Sequence, residues 1–127
     1  MVLNEISGEI VDAAVAVHSE LGLGLLESVY EIVLAHELKS RSLQVQRQIA
    51  VPIEYRGLRF EEGYRLDLLV ENLVIIEIKS VEEITGVHKK QLLTYLRLTN
   101  KALGLLLNFN VNLMKQGISR IVNGIED

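Results

Sequence analysis

Two apolar stretches of this chain carry charges in their interiors. Tyr64-Arg65-Leu66-Asp67-Leu68-Leu69-Val70 encloses Asp67, and Val74-Ile75-Ile76-Glu77-Ile78-Lys79 encloses Glu77 and ends on Lys79. Read as strands, both alternate faces. Arg65, Asp67 and Leu69 then share one side of the first strand, and Ile75, Glu77 and Lys79 one side of the second. Tyr64, Leu66, Leu68 and Val70 are expected to pack the other way, as are Val74, Ile76 and Ile78. Isolated charges on such strands are costly to bury, so these need partners or a metal.

Register decides whether the two acids meet. A two-residue loop at Glu71-Asn72 pairs Val70 with Leu73 and sets Asp67 opposite Ile76. A three-residue loop, Glu71 to Leu73, pairs Val70 with Val74 and sets Asp67 opposite Glu77, their Cα atoms roughly 4.5–5.5 Å apart. Two carboxylates at that distance repel unless a cation neutralises them. Hard oxygen ligands, with no cysteine and no paired histidines, point to Mg2+ or Mn2+. Lys79, next on the same face, is placed to steady charge developing on a phosphate. The plainer alternative is a salt-bridged cluster without catalytic consequence.

Asp67 followed by Glu77-Ile78-Lys79 resembles the D…(D/E)xK motif of the PD-(D/E)xK nuclease superfamily. The resemblance is closer still to its GxxExxY branch, whose defining motif is matched by Gly24-Leu25-Leu26-Glu27-Ser28-Val29-Tyr30. Val87-His88, Gln91-Leu92-Leu93-Thr94-Tyr95 and Leu107-Asn108-Phe109-Asn110 match further elements, and the similarity runs from about Ile6 to Asn123. Two positions depart from the pattern. Leu23 stands where the branch usually has proline, which should loosen the turn before Glu27, and Leu66 replaces the proline before the aspartate. The resemblance implies a restriction-endonuclease-like α/β core in which Asp67, Glu77 and the Ile78 carbonyl hold Mg2+ or Mn2+. It implies that Lys79 orients the attacking water and that Glu27 assists from its helix. Gln91 and Tyr95 correspond to a QxxxY element that contacts the active site or substrate, and Tyr30 is a further candidate for substrate binding. The implied reaction is metal-dependent hydrolysis of phosphodiester bonds in DNA.

The elements that must position these residues are legible from periodicity. Ile6, Ile10, Ala13, Ala14, Val17 and Leu21 recur at helical spacing, and the glycines of Gly22-Leu23-Gly24 stop that helix. A second helix is expected from about Leu25 to Ser40, with Glu27, Tyr30, Glu31 and Leu34 along one stripe. Val45 to Tyr55 reads as extended, with Pro52 tolerable at a sheet edge or bulge. A short Leu58 to Glu61 segment, Tyr64 to Val70 and Leu73 to Ile78 follow as separate strands. Thr85 suits the N-cap of a third helix, Gly86 to about Thr99, with His88, Gln91 and Tyr95 on one stripe. Lys101 to Phe109 reads as a central strand buried on both faces, and Gly117 to Val122 as an edge strand. The expected order, ααββββαββ, is a single domain with a mixed central sheet flanked by helices.

Composition bounds the rest. The 127 residues are nearly half apolar, without cysteine, and carry a net charge of −4. No apolar run reaches the roughly 18 residues of a membrane span. Met1 to Glu9 lack a basic start, so a cytoplasmic protein without a signal peptide is expected. The acidic balance weighs against nucleic-acid binding. Against that, Lys39, Arg41, Arg47, Arg56, Arg59 and Arg65 could build a local basic face, as could Lys89, Lys90, Arg97 and Lys101. A nuclease this small is expected to gain substrate surface by forming a homodimer. The rival reading is a non-catalytic nucleic-acid-binding or assembly module on the same fold. His18 and His88 are expected to be structural or solvent-facing, and Asn108 and Asn110 to tie down a strand end.

Overall fold

Helix α1 (Leu3–Leu21) turns Ile6, Ile10, Ala13, Ala14 and Val17 to the core, and the two alanines keep that contact shallow. The computed structural model describes residues 1–124. Helix α2 (Glu27–Ser40) buries Tyr30, Leu34, Ala35 and Leu38 in the same layer. It begins two residues later than its periodicity suggests. Gly22 and Gly24, at φ 72° and 98°, form a turn that keeps Leu25 and Leu26 out of the helix. Helix α3 (Gly86–Thr99) starts at Thr85 as expected. Thr85 accepts from the His88 amide while His88 Nδ1 accepts from the Thr85 amide, so His88 completes a capping box.

Five strands form one mixed sheet in chain order: β1 (Val45–Tyr55), β2 (Leu58–Val70), β3 (Val74–Lys79), β4 (Leu103–Asn108) and β5 (Ile118–Val122). All neighbours are antiparallel except β3 and β4, which run parallel because α3 crosses between them. Helices α1 and α2 cover one face over Leu68, Val70, Ile76, Ile78 and Leu105. Helix α3 covers the other, with Leu92, Tyr95 and Leu96 packed on Leu66, Leu69, Ile75 and Leu106. β4 is buried along its whole length, as its apolar run implies. This is an α/β restriction-endonuclease-like architecture. Among the described residues no helix is long and apolar enough to cross a membrane.

Two expectations are corrected. The segments Leu58–Glu61 and Tyr64–Val70 are one strand, so the order is ααβββαββ, with a 3-10 turn (Met114–Gly117) before β5. Glu61, Glu62 and Gly63 interrupt the apolar pattern because this half of the hairpin lies exposed beyond the helical layers, yet it still pairs with β1. The register shifts between Val51 and Ile53, around Pro52, on an edge strand where the missing N–H is tolerated. The second correction concerns faces. Leu66 packs under α3 together with Leu69, and not opposite to it. The pleat reverses at Asp67 and, on the neighbouring strand, at Gln48, which lies between the pairs Arg47–Leu68 and Ile49–Leu66 and has φ 53°. One residue in the left-handed region turns the following side chains to the other face. Tyr64, expected on one face with Leu66, Leu68 and Val70, therefore packs with Leu66 on the α3 side, away from Leu68 and Val70.

Candidate active site

The loop between β2 and β3 is the three-residue one. Val70 pairs with Val74, the Leu73 amide donates to the Val70 carbonyl at 3.0 Å, and Glu71 and Asn72 take φ 53° and 56°. The same register sets Asp67 across from Glu77, but the regular pairing ends one step earlier, at Leu68 and Ile76. β2 and β3 fork there. The Ile78 amide donates to Asp67 Oδ2 at 2.7 Å, so a side-chain carboxylate replaces the backbone carbonyl that an unbroken ladder would supply. In an extended strand the N–H and C=O of one residue point the same way. The Ile78 carbonyl therefore opens into the fork beside Asp67.

Glu77 is 2 % exposed. Its Oε2 accepts from the Tyr64 hydroxyl at 3.0 Å, and its Oε1 is buried without a hydrogen-bond partner among the described residues. Burial, and then the charge of Asp67, push the Glu77 carboxyl up to about 9. Burial likewise raises Asp67, against the opposing pull of the Ile78 amide. The two carboxyl groups interact with each other, which requires either a shared proton or a cation between them. Lys79, half-buried at the end of β3, lowers both through its charge. Its backbone is fixed by the Phe109 amide, which donates to the Lys79 carbonyl at 3.0 Å. Buried Asn108 pairs beside it in register and bonds both the amide and the carbonyl of Val81, holding the chain that leaves the site.

Could these residues hold a divalent cation? The two carboxyl groups and, on the same side of β3, the Ile78 carbonyl face the fork, and Glu77 Oε1 is a buried oxygen without a hydrogen-bond partner among the described residues. That donor set is all hard oxygen and fits Mg2+ or Mn2+. Among the described residues no group of three His, Cys, Asp or Glu side chains is placed to hold a metal, so a cation bound here would need the carbonyl and water as well.

Glu27 reaches the end of β3 and not the carboxylate pair itself. Exposed in the first turn of α2, it accepts from the Ser80 amide at 3.2 Å, one residue past Lys79. Ser80 Oγ also donates to the Leu25 carbonyl at 2.9 Å, clipping the α2 entry loop to the site. Gln91 is exposed on α3, one turn before Tyr95. Burial, foremost, pushes the Tyr95 hydroxyl up to about 12. Tyr95 in turn stacks on Tyr64, ring centroids 3.8 Å apart and planes 17° apart. Periodicity alone could not flag Tyr64, because it reaches Glu77 only through the pleat reversal. Glu31, also unassigned by sequence, is buried on α2, where it accepts from Arg47 and from Gln48 Nε2, the latter at 2.6 Å. It thereby holds the distorted residue opposite Asp67.

Tyr30 is corrected outright. Considered for substrate contact, it is fully buried, stacked on Phe109 at 4.4 Å. Its hydroxyl donates to the Gly22 carbonyl at 2.7 Å and accepts from the Leu25 amide at 3.2 Å, bridging the turn on both sides of Leu23. Tyr30→Phe should therefore cost about 1 kcal/mol in a denaturant melt and increase amide exchange in residues 22–25. Unchanged exchange there would mean the turn holds itself. Half of the first basic group is paired with acids. Arg41 pairs with Glu9, Asp12 and Glu37, Arg47 with Glu31, and Arg59 with Glu54. His18 is structural, its Nε2 2.7 Å from the Val111 carbonyl.

A family model described as the PD-(D/E)XK nuclease superfamily matches residues 4–121, nearly the whole chain. The curated proteins and the solved structures gave no match.

Proposed function

The chain belongs to the PD-(D/E)XK nuclease superfamily, and from that premise we propose that it is a Mg2+- or Mn2+-dependent nuclease hydrolysing phosphodiester bonds in DNA. The observation that carries the reading is the fork between β2 and β3. There Asp67 and a buried, half-unsatisfied Glu77 face each other beside Lys79. A bound cation supplies Lewis-acid polarisation of a phosphoryl oxygen and a more acidic water.

The chain's own residues do the rest. Asp67, locked by the Ile78 amide, and Glu77, anchored by Tyr64, present oxygens to the cation without reorganising. Lys79 donates to the attacking water and to the oxygen on which charge grows. Glu27 orders the Ser80 backbone beyond it and brings a third acid to the end of β3. Gln91, exposed above Tyr95, offers a hydrogen-bonding contact to the DNA strand. Within the superfamily we assign the chain to the GxxExxY branch. Support comes from the division of labour in that motif, where Tyr30 braces the glycine turn and Glu27 meets the end of β3. The homodimer expected for so small a nuclease is part of the same reading, and sedimentation should give a mass of two chains.

The direct test incubates the protein with Mn2+ or Mg2+ and single-stranded, duplex, flapped and four-way-junction DNAs. Cleavage that chelator abolishes is the expected result. Binding without cutting across the whole panel would favour a non-catalytic module. Glu27→Gln should lower cleavage by about a hundredfold or more while shifting stability by less than about 1 kcal/mol, since the side chain is exposed. A large stability loss with little loss of rate would make Glu27 structural.

A further inference from the structure

Building on the metal-centre reading above, we infer that Tyr64 is a positioning residue. Its hydroxyl fixes the Glu77 carboxylate so that Oε1, and not Oε2, is the oxygen offered to the cation. The terminal torsion of a glutamate is soft, so a carboxylate held by nothing else samples a broad range. Here one oxygen is committed. Oε2 accepts from Tyr64 at 3.0 Å, which leaves Oε1 as the oxygen without a partner.

Tyr64 can hold that position because it is itself held. Its ring lies nearly parallel to Tyr95 at a centroid distance of 3.8 Å, and Tyr95 is buried under α3 among Leu66, Leu92 and Leu96. Gln91 lies one turn before Tyr95 on the exposed side of α3. The brace therefore runs from Tyr95 to Tyr64 and ends on the proposed metal ligand. Groups that orient a ligand from behind commonly set metal affinity as strongly as a tenfold to hundredfold change.

The experiment is calorimetric titration of Mn2+ into wild type, Tyr64→Phe and Tyr95→Phe, with a thermal melt of each. Tyr64→Phe keeps the stacked ring and removes only the hydroxyl. It should weaken Mn2+ binding about tenfold, and the Mn2+ concentration giving half-maximal cleavage should rise by the same factor. The rate at saturating Mn2+ should change much less. Tyr95→Phe should weaken binding less than Tyr64→Phe, because it leaves the bond to Glu77 intact. Equal Mn2+ affinity in wild type and Tyr64→Phe overturns this inference alone. A wild type that binds no Mn2+ overturns the metal-centre reading and this inference with it. Should Tyr64→Phe melt too early to titrate, the wild type decides. Mn2+ binding should then perturb the tyrosine ultraviolet absorption, and a binding isotherm with no tyrosine difference spectrum overturns the assignment.

Discussion

Lys79→Met is expected to abolish DNA cleavage, by about a thousandfold or more, while Mn2+ affinity stays within a few-fold of wild type. The physical reason is the separation of roles at the fork. In the proposed mechanism Asp67 and Glu77 hold the cation, and the bonds that fix them come from the Ile78 amide and the Tyr64 hydroxyl and not from Lys79. The ammonium acts on charge that appears only as the phosphodiester breaks, so its loss is paid in rate and little in binding. In a non-catalytic module the same substitution removes one phosphate contact and lowers DNA affinity modestly. Rates and calorimetry on the same preparations separate these cases. A Lys79→Met protein that still cuts would remove Lys79 from the mechanism. One that no longer binds Mn2+ would make it part of the metal site's support.

Glu77→Gln is expected to make the metal-free protein more stable at alkaline pH and to eliminate Mn2+ binding. Burial, with Asp67's charge adding to it, pushes the Glu77 carboxyl from 4.5 up to about 9. A carboxyl raised on folding binds its proton more tightly in the native state. Its contribution to stability is complete below the ordinary value of 4.5 and is lost as pH climbs through about 9. Asp67 is shifted in the same direction and adds to the slope. The wild type should therefore lose stability steadily between weakly acidic and alkaline pH. The glutamine variant, neutral throughout, should lose less and exceed wild type near the upper end by about 1–2 kcal/mol, several degrees in Tm. Saturating Mn2+ should restore the wild type at high pH and leave the variant unmoved. Parallel stability profiles for the two proteins would mean that Glu77 is not shifted upward by the fold.

Asp67, Glu77 and Lys79 stood out in the sequence because charges inside apolar strand patterns are expensive and demand a reason. The helices were equally plain, since their apolar residues recur at a period that only a helix turns to one side, and Thr85 marked the start of α3 through its capping chemistry. The mixed sheet followed from one long apolar run and a helix placed between strands. Where periodicity weakened, the sequence reading broke as well. Glu61 to Gly63 read as a gap because that half of β2 has no helical layer to demand apolar residues, although backbone pairing with β1 carries the strand through. Which acids face each other rested on one residue of loop length, and both lengths were compatible with the pattern. Only the folded hairpin chose between them. The positive φ at Gln48 and the reversal of the pleat beside Asp67 have no periodic signature, because each depends on contacts from another element, Glu31 of α2 among them. That reversal brings Tyr64 to Glu77. Tyr30 shows the converse. Its motif spacing marked it as important, but its side chain is spent on the glycine turn and on Phe109, a partner far away in the sequence. Local chemistry thus singled out the charged residues, while long-range packing decided which oxygen of Glu77 is left without a partner.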